Sequence, residues 1–133
     1  MNHIILKNKR ITPSKIVCVG MNYAEHIQEL DSKKPSGIVI FNKPNSAISD
    51  DLFFINDKVR FESEISFLIN DEKISGVGFG LDLTKADEQI RLKNNGHPWE
   101  RSKAFDKSAV FSEFVKFSGD ITKLKLELYI NDK

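Results

Sequence analysis

Alternation is the strongest signal in the chain. Between Val59 and Ile69, the residues Val59, Phe61, Ile65, Phe67 and Ile69 fall on one side of an extended backbone, with Ser63 among them. Arg60, Glu62, Glu64, Ser66 and Leu68 fall on the other. This predicts a central strand entered through an Asn56-Asp57 turn and left through Asn70-Asp71-Glu72. Val77 to Leu83 predicts a second strand. Its glycines Gly78 and Gly80 mark a bulge or a close approach of backbone. Leu124, Leu126, Leu128 and Ile130 alternate with Lys125, Glu127 and Tyr129, predicting a half-buried strand that runs into a hairpin turn at Asn131-Asp132.

Shorter apolar runs fill in the remainder. His3 to Ile11 reads as a leading strand or hairpin, Lys15 to Val19 as a buried strand broken by Gly20, Ile38 to Phe41 as another strand, and Leu52 to Ile55 as a short apolar one. Asn22 to Leu30 predicts a helix. Asn22 caps it, Glu25 stands at the capping-box position, and Tyr23, Ile27 and Leu30 share a face. A second helix is predicted from a Thr84 cap, with Asp87 three residues on, to about Asn95, where Gly96 and Pro98 stop it. Trp99 to Asp106 reads as a loop, and Ser108 to Phe117 as mixed.

Bulk properties narrow the function. The chain has 133 residues, a length expected of one domain, residues 1–133, with residues 1–14 as a leading hairpin and 15–133 as the core. Hydrophobic residues make up 40% and charged residues 29%, and twenty basic side chains against nineteen acidic leave a net charge of +1. That balance supplies no global field for nucleic acid or an anionic membrane, and no apolar run approaches the roughly 20 residues of a membrane span. The single cysteine, Cys18, cannot form an internal disulfide and sits in an apolar run as a small buried hydrophobe. With no signal-peptide pattern at the N-terminus, a cytoplasmic location is the expectation. The chain ends after a good strand and half a turn, as expected of a truncated piece.

Candidate chemistry starts from Glu62 and Glu64. Like charges on one strand face repel, so a positive group belongs between them, or one carries a proton. A hard divalent cation such as Mg²⁺ is one answer; a solvated face on an edge strand is the other. His26 and Glu29 are three apart on the predicted helix, where the carboxylate would make the imidazole a better base, unless they are an ordinary surface pair. Lys43 precedes Pro44 and is held extended, either reaching an anionic ligand or wet.

Five segments in order resemble the fumarylacetoacetate hydrolase family: Cys18 to His26, Phe41-Asn42-Lys43-Pro44, Phe61-Glu62-Ser63-Glu64, Leu81-Asp82-Leu83-Thr84 and Gly96 to Asp106. The resemblance implies an α+β, mostly β fold, a mixed β-roll with a few short helices, and a homodimer. It implies a divalent metal, Mg²⁺ or Mn²⁺, with Glu62, Glu64 and Asp82 as ligands. It places His26, Glu29 and Lys103 in the catalytic group, and Asn22, Tyr23, Lys43 and Gln89 on the substrate side. The implied reaction cleaves a C–C bond in a 2-oxo or β-diketo acid of the acylpyruvate or fumarylacetoacetate type. Water activated by His26 attacks a carbonyl, and Lys103 stabilises the oxyanion. Relatives use the same enolate chemistry for oxaloacetate decarboxylation or isomerisation of unsaturated dioic acids.

Four departures stand against that pattern. Met21 replaces a basic residue, and Ala86 an arginine that would offer a carboxylate clamp. The link between Asn70 and Val77 is short. Family chains also continue past the equivalent of Lys133 with further strands and a Thr-Gly-Thr-Pro-like segment. A non-catalytic copy that keeps the scaffold is therefore the competing expectation.

Overall fold

The computed structural model describes residues 1–22 and 37–133. The predicted helix over Asn22–Leu30, with Tyr23, His26 and Glu29, lies almost wholly outside the described residues. Asn22 itself is exposed.

Local sequence sets the hairpins. β1 (Ile4–Leu6) and β2 (Lys9–Ile11) pair antiparallel around Lys7-Asn8, both at positive φ, as a two-residue turn demands. β3 (Lys15–Gly20) pairs antiparallel with β4 (Val39–Pro44). This ribbon buries one face only. Ile16, Cys18, Phe41 and Lys43 turn inward, while Val17, Val19 and Ile40 stay exposed. The expectation of a fully buried Lys15–Val19 strand is corrected to a half-buried one that includes Gly20.

A 3-10 turn (Asn45–Ala47) leads into β5 (Ile48–Ser49). β6 (Val59–Asn70) and β7 (Lys73–Lys85) then form a long hairpin closed by Asp71-Glu72, again both at positive φ. On its other side β7 pairs antiparallel with β8 (Ala109–Phe111) and with β9 (Val115–Lys116), and β5 runs parallel to β8. The result among the described residues is a mixed five-stranded sheet with two ribbons and two short helices, α1 (Ala86–Asn94) and α2 (Glu100–Lys103). The fold is α+β and mostly β. No helix among the described residues is long and apolar enough to cross a membrane.

The alternation of β6 holds, and among the described residues β6 ends the order of its sheet, but its Glu62 face is not solvated. The core of Ile4, Ile48 and Phe114, with Leu6, Ile11, Ile16, Leu68 and Phe111 around it, packs on that same face. The glycines make room. A methyl group on Gly78 would stand 3.0 Å from the Phe114 ring, and one on Gly80 would meet the Ser66 hydroxyl first and then Phe111 at 3.1 Å. The close approach expected of these glycines is therefore made by side chains, aromatic at Gly78 and both polar and aromatic at Gly80. The apolar face is less covered, with Phe61 and Ile69 exposed.

Four further expectations are corrected. Leu52–Ile55 is not a strand; Phe54 is 93% exposed and the segment pairs with nothing among the described residues. In Leu124–Ile130 only Leu124 and Leu126 are half-buried, and among the described residues the segment joins no ladder, although Asn131-Asp132 makes the expected turn, with Ile130 and Lys133 exchanging backbone hydrogen bonds. Thr84 does not cap α1. It lies inside β7, and Lys85 precedes the helix without a side-chain cap. The Trp99–Asp106 loop contains α2. The stop after α1 is as expected: Gly96 has φ +66° and donates to the Lys93 carbonyl, and His97 donates to Leu92.

Candidate active site

Register places the carboxylates. Glu62 and Asp82 face each other directly across the β6–β7 ladder, and Glu64 lies two ladder positions along on the same face, opposite Gly80. Arg60 and Thr84 pair on the other side of Glu62 and share the face. Two lysines enter from other elements, Lys43 from β4 and Lys103 from the end of α2, and both are buried.

Lys103 is the hub. Its Nζ lies 2.6 Å from Glu62 Oε2, 2.7 Å from Asp82 Oδ2 and 2.6 Å from Thr84 Oγ1, and all three accept from it. The Thr84 hydroxyl donates in turn to Glu62 Oε2 at 3.2 Å. The Lys103 ammonium thus lies between Glu62 and Asp82, whereas sequence reasoning asked for a positive group between Glu62 and Glu64.

Lys43 is held inside the protein and is not wet. It donates to the carbonyls of Ser108 at 2.9 Å, Leu83 at 3.2 Å and Lys103, and lies 2.8 Å from Asp82 Oδ1. An ammonium has three protons, and three carbonyls take them. Asp82 Oδ1 is therefore in ionic contact with Lys43 but receives no aligned hydrogen bond, and it is buried. Lys43, expected on the substrate side, here joins α2 and the start of β8 to β7 from beneath the site.

Gln89 is buried on α1, and its Oε1 accepts from Arg60 Nη2. Arg60 Nε donates to Glu62 Oε1 at 3.1 Å. Gln89, Arg60, Glu62, Lys103, Asp82 and Lys43 therefore form one continuous polar chain.

Charge states follow from these contacts. Burial works to raise the Glu62 carboxyl, but Lys103 and Arg60 together hold it below its ordinary range. Burial lowers Lys43, opposed by Asp82. Cys18 faces the cluster from β3, and burial, then the Asp82 charge, pushes its thiol up to about 12. This fits the inert role expected of it.

The donors suit a hard cation in part. Glu62 and Asp82 present carboxylate oxygens to one point, and Asp82 Oδ1 lacks a hydrogen bond. Among the described residues, however, no three of histidine, cysteine, aspartate and glutamate converge to hold a metal ion, so Glu64 does not close the set in this arrangement.

Sequence reasoning missed Arg60 and Thr84. Both carried a signal: each stands two residues from an expected ligand, Glu62 or Asp82, and so on the same strand face. Ser108 was also missed. It is fully buried, its carbonyl binds Lys43 and its hydroxyl donates to the Lys103 carbonyl at 2.8 Å.

Residues 15–133 match the family model described as fumarylacetoacetate hydrolase, C-terminal. The chain is 39% identical over 137 residues to the oxaloacetate tautomerase YcgM of Escherichia coli, covering 89% of this chain and 63% of that protein. It is 31% identical over 134 residues to the human mitochondrial oxaloacetate tautomerase FAHD1, covering 87% and 61%. Among solved structures, fumarylpyruvate hydrolase from Pseudomonas aeruginosa in complex with Mn²⁺ and pyruvate superposes with a TM-score of 0.75 at 25% identity, covering 86% of this chain and 60% of that one. The chain spans about three fifths of the length of these relatives. A match over residues 15–133, nearly its whole length, places the chain in the fumarylacetoacetate hydrolase family.

Proposed function

We propose that this chain is the site-bearing part of a divalent-metal-dependent enzyme that acts on a small 2-oxo acid through its enol or enolate. The observation carrying this reading is the buried Glu62–Lys103–Asp82 cluster, with its charge-balanced carboxylates and one ammonium within hydrogen-bond reach of each. Glu62 and Asp82 would hold Mg²⁺ or Mn²⁺, with Glu64, which does not converge on them in this arrangement, expected as the third ligand. That ion would supply Lewis-acid polarisation of the substrate's 2-oxo carbonyl.

The chain's own residues divide the remaining work. Lys103 carries the proton and positive charge needed beside an oxygen that becomes negative as the enolate forms. Thr84 fixes the direction of the Lys103 ammonium. Lys43 sets a second positive charge against Asp82 from beneath, 2.8 Å from its Oδ1. Gln89, with its carbonyl oxygen taken by Arg60, is left with its amide N–H groups as donors. His26, oriented by Glu29, is the proposed base that removes a proton from the carbon next to the carbonyl.

Keto–enol tautomerisation of oxaloacetate needs no more than these groups: one proton leaves carbon and one arrives on oxygen. Likeness to two oxaloacetate tautomerases favours that reaction. C–C hydrolysis of an acylpyruvate is the second reading, favoured by the likeness to fumarylpyruvate hydrolase. It requires His26 to activate water instead.

The test is an enol-absorbance assay of oxaloacetate alongside an acylpyruvate cleavage assay, each with and without Mg²⁺, on the parent and His26→Ala. Mg²⁺-dependent loss of the enol signal, abolished in His26→Ala, supports the first reading. Cleavage without tautomerisation supports the second. Equal activity in the parent and His26→Ala refutes the assignment of the base.

A further inference from the structure

Three cations, Arg60, Lys93 and Lys103, gather at the Gln89 end of the site. Lys103 and Lys43 are spent on Glu62 and Asp82. Lys93 on α1 sits over the Trp99 ring at 4.8 Å, and its ammonium is held below the ordinary lysine range, first by burial and then by the nearby charges of Arg60 and Lys103. Arg60 stands between them. Its side chain is 27% exposed, the most open of the three cations that touch the two carboxylates.

A guanidinium carries five N–H donors. Among the described residues those of Arg60 have two hydrogen-bond acceptors, Glu62 Oε1 and Gln89 Oε1. The two hold the group from either side, one on β6 and one on α1, and fix its plane. Donors remain for an incoming anion. A planar fork so fixed recognises a carboxylate in two-point fashion and loses little freedom on doing so.

We propose that Arg60 is a specificity-determining residue that receives the second carboxylate of a dicarboxylic 2-oxo acid. This rests on the functional reading above and narrows it: the first carboxylate and the 2-oxo group belong to the Glu62–Asp82–Lys103 cluster, and the second belongs to the Arg60 rim. Arg60 also positions Gln89, because the bond to Oε1 decides which end of the amide faces the substrate.

The test compares two ligands that differ only at the distal group: oxaloacetate and 2-oxobutyrate, in which a methyl replaces the second carboxylate. Each is titrated calorimetrically, with excess Mg²⁺, into the parent, Arg60→Met and Arg60→Lys. The parent is expected to bind oxaloacetate at least about tenfold more tightly, the size of one charge-assisted contact. Arg60→Met is expected to collapse that ratio to within about threefold, and Arg60→Lys to keep part of it. An unchanged ratio in Arg60→Met overturns the proposal, as does a parent that binds both ligands equally while binding 2-oxobutyrate well. A purely structural role for Arg60 would weaken both ligands together and leave the ratio intact. A parent that binds neither ligand sinks the 2-oxo acid reading itself, and the assignment of Arg60 with it.

Discussion

Lys103→Met is the most informative perturbation of the site. In the metal-free protein it removes the cation shared by Glu62 and Asp82 and leaves their carboxylates facing each other across the ladder. The Lys103, Asp82 and Glu62 side chains are 4%, 8% and 13% exposed, so water screens the loss poorly. Removing one partner of a buried ion pair costs about 3–5 kcal/mol. Glu62 keeps Arg60 and Asp82 keeps Lys43, which places the expected cost near the lower end, about 3 kcal/mol. For a domain of this size that lowers the melting temperature by roughly 10 °C. Urea unfolding of the parent, Lys103→Met, Asp82→Asn and the double variant forms a double-mutant cycle, in which the pair should show a coupling of at least about 1 kcal/mol. Saturating Mg²⁺ should restore about 2.7 kcal/mol to Lys103→Met at 100 times its dissociation constant, because a dication can replace the lost ammonium. A loss below about 1 kcal/mol, or strict additivity in the cycle, would refute the view of Lys103 as the hub.

Other consequences are simpler to check. Gly78→Ala should cost about 1–3 kcal/mol by pressing a methyl group into the Phe114 ring. Gly37→Ala, whose added methyl meets nothing, should change stability by less than about 0.5 kcal/mol in the same thermal scan. Gly96→Ala should cost about 1 kcal/mol, since φ +66° strains any side chain there, with the loss read from helical circular dichroism on heating. Cys18, with its thiol at about 12 in place of 9.0, should react with a chromogenic disulfide about a thousandfold more slowly at pH 8 than an ordinary cysteine. The thiolate fraction rises with pH, so the native rate should keep climbing past pH 9 without a plateau; a plateau near 9 would show that Cys18 is not buried against Asp82.

Sequence period and turn chemistry carried much of this fold. The β6–β7 hairpin, its Asp71-Glu72 turn, the shared face of Glu62 with Glu64, and the stop after α1 all follow from local rules. What local rules omit is the partner. Alternation in Leu124–Ile130 shows which side chains would share a face, but a strand needs a neighbour for its N–H and C=O groups, and among the described residues that segment has none. Leu52–Ile55 was apolar enough for a strand and fails for the same reason. Lys43 and Lys103 lie 60 residues apart, and Lys43 hydrogen-bonds the Lys103 backbone. No spacing rule reveals that both ammonium groups converge on Asp82. Thr84 shows a direct conflict: as a Ser/Thr residue before a polar helix it looks like a cap, yet its alternation with Asp82 keeps it in the strand and gives its hydroxyl to Glu62.

The packing of core and site on one sheet face has a consequence for folding fidelity. Sliding β6 by a single residue against β7 would send Leu68 to the wrong side together with Glu62. Such a misfold could not present an intact cluster on a faulty core, nor the reverse. Assembly of the Glu62–Asp82 pair therefore serves as its own proofreading step, with the Asp71-Glu72 turn and the register shift between Leu68 and Ile69 acting as the stops that set the count.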